Sequence, residues 1–285
     1  MNLAFSQKTL GLRIYYYRVM DSIHSIVIAG ATHGNERTGV ELVQKWGNCP
    51  EKIQKFCPSA KIDFVLSNPV AMRENRRYFH QDLNRSFSEK TLAIQGISHC
   101  YEVNRAKELN QMFGPKGEQT KTDLLIDIHN TTSAMGVCLI LSEKDSFTTR
   151  ASAEILSEFP ETKIYFQPEE RSESPYFGTI AKADICIEVG PQAHGTLVAS
   201  LFETTEKVVL RYLELAEEFS DCTFITFTNG SLITEKTVEK LVKLGNVQPM
   251  FSLGGYKENN DKIRGEGCFD MVMEKMDMLR EAGVF

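Results

Sequence analysis

The feature that most constrains this chain is the alternation of short apolar runs with longer amphipathic stretches. Ile26–Ala29, Ile62–Leu66, Leu124–Ile128, Val137–Leu141, Lys163–Phe166 and Ile185–Val189 read as strands. Between and after them, Glu36–Trp46, Tyr101–Phe113, Phe147–Phe159 and Leu201–Phe219 read as helices. Val40, Val43 and Trp46 fall on one helical face, as do Val103, Ala106, Leu109 and Phe113. Asn68-Pro69 stops the second strand, and Gly114-Pro115 ends the second helix. Strands that alternate with helices predict an α/β fold: a mostly parallel sheet covered on both faces, with ligands beyond the carboxyl ends of the strands. No internal repeat or low-complexity linker interrupts the pattern.

Composition narrows the partners. The 285 residues suffice for one large domain or two smaller ones with a real core. The 32 basic and 38 acidic side chains leave a net charge of −6, with no Lys/Arg run longer than two. This argues against nucleic acid and against an anionic membrane as partners. No stretch approaches the roughly 18–20 apolar residues of a membrane span. Met1–Met20, broken by Lys8, Arg13 and Arg18, has no apolar core of a signal peptide. The seven cysteines (49, 57, 100, 138, 186, 222, 268) include no C-x-x-C pair. That usage fits reduced thiols in the cytoplasm and argues against zinc ribbons and iron–sulfur clusters.

Three strand ends carry unusual chemistry. In Gly30-Ala31-Thr32-His33-Gly34-Asn35-Glu36, a His and a Glu three apart follow a strand and open a helix. Imidazole and carboxylate at that spacing can reach one zinc ion, although a polar helix N-cap has the same pattern. In Asp127-Ile128-His129-Asn130, strand alternation puts Asp127 and His129 on one side. His129 can serve as a third ligand, with Asp127 orienting a ligating imidazole. Glu188 ends an otherwise apolar strand, a costly place for an acid that has no use. A carboxylate there can act as a base toward water beside a metal. Between these segments, Arg76–Arg85 holds three arginines and Asn84 within an acidic chain. Arginine's planar fork suits a carboxylate. Three protein ligands with a fourth position left for water are the pattern of a catalytic zinc site. The four segments together describe hydrolysis of an amide in a small anionic molecule.

Residues 23–219 resemble the aspartoacylase/succinylglutamate desuccinylase family, whose fold is of the zinc carboxypeptidase type. The matching runs are Gly30–Gly39, Asp82–Phe87, Leu109–Lys116, Asp127–Gly136 and Ile187–Gln192, in family order and spacing. The resemblance implies a three-layer α/β/α domain with a mixed, mostly parallel sheet and one zinc ion per chain. His33, Glu36 and His129 would be the zinc ligands, Glu188 the general base, and Arg77 the group that polarises the scissile carbonyl. Asn84 and Arg85 would grip the substrate carboxylate, and Asp127 would stand behind a ligand. His24, His80, His99 and His194 match no ligand position.

Two departures bear on the substrate and the domain plan. Aspartoacylases carry a Tyr and an Arg before a Ser-Ile-Ala-Lys-like run. Here that run is Thr179–Lys182, with Ser174 and Gly178 at the two positions. Tyr176 and Arg171 lie close enough in sequence to stand in for them. Residues after about 220 do not resemble the family's C-terminal β-rich domain. Residues from about 221 resemble instead an internal piece of a radical SAM barrel, in Phe227–Ile233, Ser252–Gly255 and Asp261–Gly265, without the cysteine motif that holds its cluster. A strand–helix–strand–helix appendage with no catalytic role is expected over 220–285, with helices at Thr234–Leu244 and Phe269–Glu281. The expected function is zinc-dependent deacylation of an N-acyl amino acid such as N-acetyl-L-aspartate. The alternatives are a deacylase of N-acetyl aromatic or mercapturate-type amino acids, a metal-binding remnant, and a radical SAM enzyme, which the missing cysteines disfavour. A homo-oligomer stays open.

Overall fold

The computed structural model describes residues 23–284, apart from 118, 143–145, 168–170, 172, 221–223 and 245–246. The reading of Met1–Met20 and the thiol of Cys222 lie outside the described residues. The others fall into two compact units that divide near residue 221.

The first unit is built on a six-stranded sheet in the order β2-β1-β3-β6-β4-β5. Its strands are β1 (Ser25–Gly30), β2 (Lys61–Leu66), β3 (Leu124–Asn130), β4 (Gly136–Leu141), β5 (Lys163–Phe166) and β6 (Ala183–Gly190). β2, β1, β3 and β6 run parallel, whereas β4 is antiparallel to β6 and carries β5 parallel to itself. The expected mixed, mostly parallel sheet is therefore present, and its parallel strands begin or end within two residues of the sequence expectation.

The helices of this unit are α1 (Arg37–Asn48), α2 (Glu51–Gln54), α3 (Pro69–Arg73), α4 (Glu89–Leu92), α5 (Tyr101–Phe113), α6 (Ser146–Glu158) and α7 (Ala199–Ser220). Strand alternation assigns the two faces of the sheet. Val27, Ala29 and Leu125 pack with Ala106, Leu109 and Phe113 of α5 and with Leu83, Phe87 and Phe177. On the opposite face α1 lies on β1 and β3, and α6 and α7 lie on β4 and β6. β3, covered from both sides, is buried at all seven residues.

α1 approaches the sheet closely at one point. A Cβ on Gly30 would stand 2.3 Å from the Gly39 carbonyl oxygen, and one on Gly39 would stand 2.6 Å from that of Ile128. The two glycines let the first turn of α1 rest on the carboxyl ends of β1 and β3. That contact sets where Glu36, the residue before the helix, can point.

The second unit contains a parallel pair, β7 (Phe224–Thr228) and β8 (Val247–Phe251), with α8 (Glu235–Leu244), α9 (Lys257–Arg264) and α10 (Cys268–Glu281). Its small core gathers Ile233, Val238 and Leu279, with Leu241, Phe251 and Met278 packed against them. The expected strand–helix–strand–helix order needs one correction, because α9 is an additional helix. It has no apolar stripe to announce it. Its one buried residue is Asn260, whose side-chain oxygen accepts from the Gly254 N–H at 2.9 Å. Among the described residues no helix is long and apolar enough to cross a membrane. Cys49, Cys57, Cys100, Cys138, Cys186 and Cys268 are free thiols.

Candidate metal centre and active site

Three chain segments meet beyond the carboxyl ends of β1, β3 and β6. His33 and Glu36 lie in the turn between β1 and α1, His129 is the next-to-last residue of β3, and Glu188 lies near the end of β6. The register pairs His129 with Glu188, so both side chains share a face of the sheet. His33, Glu36 and His129 are all buried. His33 Nδ1 stands 2.7 Å from Glu36 Oε1, His129 Nδ1 stands 2.9 Å from Glu36 Oε2, and the two Nδ1 atoms are 3.1 Å apart. Ligands of a tetrahedral zinc ion, each bound at about 2.0–2.2 Å, sit roughly 3.3–3.5 Å from one another. The observed spacings of 2.7–3.1 Å are shorter than that, so the three groups would spread by a few tenths of an ångström around an ion.

The far nitrogens of both rings make the case for a cation stronger. His33 Nε2 bonds Asp82 Oδ1 at 3.0 Å, and His129 Nε2 bonds Asp127 Oδ2 at 2.8 Å. Carboxylates accept, so each ring donates its Nε2–H outward and turns an Nδ1 lone pair toward Glu36. Two lone pairs and a carboxylate facing one another need a proton or a metal ion between them. The ionisation tendencies say the same. Burial works against charge on both rings, yet Asp82 and Glu36 leave the His33 pKa raised, and Asp127 raises that of His129 well above its usual value. Burial likewise disfavours a charged Glu36, but His129 and His33 hold its carboxyl far below the ordinary range. The donor set is therefore one that fits zinc.

Neighbouring contacts explain why Glu36 points inward. It stands at the N-cap of α1 but makes no capping bond. Asn130 takes that role across the sheet: its Oδ1 accepts from the Thr38 N–H at 2.9 Å. The Asn130 backbone N–H meanwhile donates to Glu36 Oε2 at 2.9 Å and fixes the carboxylate. The plain N-cap reading of Glu36 does not hold.

Glu188 differs from the other acids. No hydrogen bond or ion pair among the described residues holds its carboxylate, and burial pushes its pKa up. Arg77 reaches across the mouth of the site, its Nη1 3.3 Å from Glu36 Oε1 and its Nη2 3.2 Å from Asp82 Oδ2, with its side chain 40% exposed. Asn84 accepts from the Phe177 N–H at 2.9 Å, which leaves its amide NH2 as the end able to donate elsewhere. Arg85 lies with Cζ 4.4 Å above the Tyr176 ring. The Phe87 and Phe177 rings stack with centroids 4.8 Å apart. The structure thus brings the expected ligand, base and arginine positions to one end of the sheet, with Asp127 behind His129. Asp82 was not singled out for the same task behind His33. The signal lay in its run, Asp82-Leu83-Asn84-Arg85, but its partner is 49 residues away.

Arg171 does not stand in for the missing family arginine. It pairs with Asp184, and its Nη2 donates to the Gly178 carbonyl at 3.1 Å. Ser142 also donates to Asp184, at 2.8 Å. A Cβ on Gly178 would fall 2.3 Å from Asp184 Oδ2 and 2.8 Å from its Cβ. His80 groups with Cys100 and Glu102 as a second set of metal-type donors. The oxygens of Glu102 are filled by backbone N–H groups, and His80 Nδ1 accepts from the Tyr101 N–H at 2.9 Å.

The comparisons agree with this geometry. Residues 22–216 match the model of the succinylglutamate desuccinylase/aspartoacylase catalytic domain. The chain belongs to that family. It is 39% identical over 204 residues to a probable aspartoacylase of Trichodesmium erythraeum, covering 71% of this chain and 68% of that one. It is 35% identical over 207 residues to the human N-acyl-aromatic-L-amino acid amidohydrolase (carboxylate-forming), covering 71% and 64%. The crystal structure of murine aminoacylase 3 superposes with a TM-score of 0.66 at 36% identity, covering 71% of this chain and 67% of that one. The succinylglutamate desuccinylase of Vibrio parahaemolyticus, at 18% identity and a TM-score of 0.53, shares the fold. The matched part of the chain spans between 58% and 68% of the length of these relatives.

Proposed function

We propose that this chain is a zinc-dependent amidohydrolase that removes the acyl group from a small N-acyl amino acid. The observation that carries the reading is the convergence of His33 Nδ1, Glu36 and His129 Nδ1 beside Glu188, whose carboxylate has no hydrogen bond or ion pair among the described residues. Zinc held by His33, Glu36 and His129 would polarise the scissile carbonyl and lower the pKa of water to about 7. Glu188 takes a proton from the attacking water and hands it to the departing amine nitrogen as the C–N bond breaks. Arg77 donates to the oxyanion that develops on the carbonyl oxygen. Asp82 and Asp127 keep both imidazoles turned with Nδ1 inward. Arg85 and the NH2 of Asn84 hold the carboxylate of the amino acid, and Tyr176 forms the wall under Arg85. The products are a free carboxylate and a free amino acid.

N-acetyl-L-aspartate is the reference substrate, but one observation favours the second reading, an N-acetyl aromatic or mercapturate-type amino acid. Gly178 has no room for a side chain, and Arg171 is spent on Asp184, so neither offers a cation to a second carboxylate. Relatives with names of both kinds support the class without choosing between them. The same reading assigns 1–219 to catalysis and 220–285 to an appendage without a catalytic role, in a cytoplasmic protein.

The test joins metal analysis to an activity panel of N-acetylaspartate and N-acetylphenylalanine. Wild type should carry about one zinc per chain. Glu188→Ala should keep the zinc and lose roughly 10²- to 10⁴-fold in kcat, whereas His33→Ala should lose the metal. Full activity in Glu188→Ala would refute the mechanism. A clear preference for N-acetylaspartate would refute the second reading, and a zinc-loaded wild type inactive on the whole panel would point to a metal-binding remnant.

A further inference from the structure

Glu102, in the first turn of α5, is fully buried and takes no part in the proposed reaction. Its two oxygens are filled from a single stretch of chain. Oε1 accepts from the Phe79 N–H at 2.6 Å, and Oε2 accepts from the His80 and Gln81 N–H groups at 3.0 and 3.3 Å. Asn68 Nδ2 donates to Oε1 as well, at 3.2 Å. Successive backbone N–H groups that converge in this way form an anion-binding concavity. Here the anion is the protein's own side chain. Burial opposes its ionisation, and these hydrogen bonds outweigh that, so its pKa lies below the usual value.

The stretch it holds is the one on which the site depends. Arg77 lies two residues before Phe79, and Asp82, the partner of His33, follows Gln81. Residues 77–82 lie in no helix or strand, so regular structure does not fix their course. The near end is tied to the histidine turn, where the Gly34 N–H donates to the Arg77 carbonyl at 3.1 Å. The far end is tied by Gln81 Nε2 to Ser86 Oγ at 2.9 Å and by Ser86 Oγ to the Asp82 carbonyl at 3.0 Å. Glu102 holds the middle, and the Tyr101–His80 bond adds a second link to α5.

We infer that Glu102 is a positioning residue: its carboxylate, seated on the N–H groups of residues 79–81, fixes Arg77 and Asp82 in the places the reaction needs. The kinetic arm of its test rests on the amidohydrolase reading, and the exchange arm does not.

The full-length, zinc-loaded protein carries the substitution Glu102→Gln, which keeps the shape but turns an NH2 toward N–H donors. Its kcat should fall roughly 10- to 100-fold, the scale of a small misplacement of a catalytic group, with zinc content unchanged. In an Arg77→Ala background the same substitution should cost clearly less than it does in the wild type, because one of the two groups it positions is gone. A residue that merely supports the fold would instead give additive losses, and additive losses overturn the inference. Amide exchange should rise at 79–81 in Glu102→Gln and stay unchanged in β3. Unchanged exchange at 79–81 also overturns it, whatever the activity. Glu102→Asp, which keeps the charge with a shorter reach, should fall between wild type and Gln, and runs the same cycle if Gln does not fold. A wild type that is inactive on the panel defeats the functional reading, and the exchange measurement then decides this one.

Discussion

β3 and β7 come from similar stretches of sequence, short apolar runs that each pair in parallel with a neighbour, yet they end in opposite surroundings. Every residue of β3 is buried. On β7, Ile225 is 59% exposed and Phe227 76% exposed, and Met250 on the adjacent β8 is 44% exposed. The cause is cover. A parallel sheet is stable when both faces are packed. β3 lies between α5 on one side and α1 on the other, whereas the small core of the second unit leaves these apolar side chains in the open. An apolar run therefore marks a strand, but whether the strand is sealed depends on how many layers the rest of the chain can supply.

Four measurements would break or sharpen this contrast. The largest effect is expected at Ile126, fully buried in β3. Ile126→Ala should cost about 2–5 kcal/mol, read as a lower urea midpoint of tryptophan fluorescence. Trp46 is the only tryptophan and is buried in the first unit, so this signal reports on that unit alone. A loss under about 1 kcal/mol would mean the sheet is less tightly covered than its geometry indicates.

The next effect is on pH. The Glu102 carboxyl is held below 4.5, its usual value. A depressed acid stabilises the fold above its unfolded pKa, and that stabilisation is lost as pH falls through the lower folded value. The first unit should therefore weaken below about pH 4.5, and Glu102→Gln should flatten this part of the curve. Equal acid sensitivity in the two proteins would argue against a charged Glu102.

Smaller still, Ile225→Ala should change the stability of the second unit by less than about 0.5 kcal/mol, read as amide exchange in α8 and α10. A large rise in that exchange would show β7 to be sealed after all. Finally, Phe227→Lys should reduce binding of a hydrophobic dye without a measurable change in unfolding. Unaltered dye binding would place the accessible apolar surface elsewhere.

What the sequence made legible follows from the range of the interactions. The bounds of α5 could be read because an apolar stripe and a Gly-Pro stop are both local. The site's first members were legible because strand alternation and the His-x-x-Glu spacing are local too. α9 was not legible, since a helix of Lys, Glu, Asn and Asp with one buried amide has no periodic signal. Asp82 behind His33 was missed because the two meet only after β2 and α3 have turned the chain. Glu102 was missed for another reason: its partners are backbone N–H groups, which every residue but proline possesses and which leave no trace in side-chain identity.

Gly178 has a consequence for how this chain can change. A side chain there cannot enter while the Asp184 carboxylate occupies its space. Removing Asp184 in turn takes from Arg171 its carboxylate and leaves the guanidinium on the Gly178 and Ala181 carbonyls. A second cation at this edge is therefore out of reach of a single substitution at 178, and the change at 184 has to come first. Selection for a doubly charged substrate would meet an ordered path through these three residues, in which the first step leaves one arginine without its carboxylate before any new one is made.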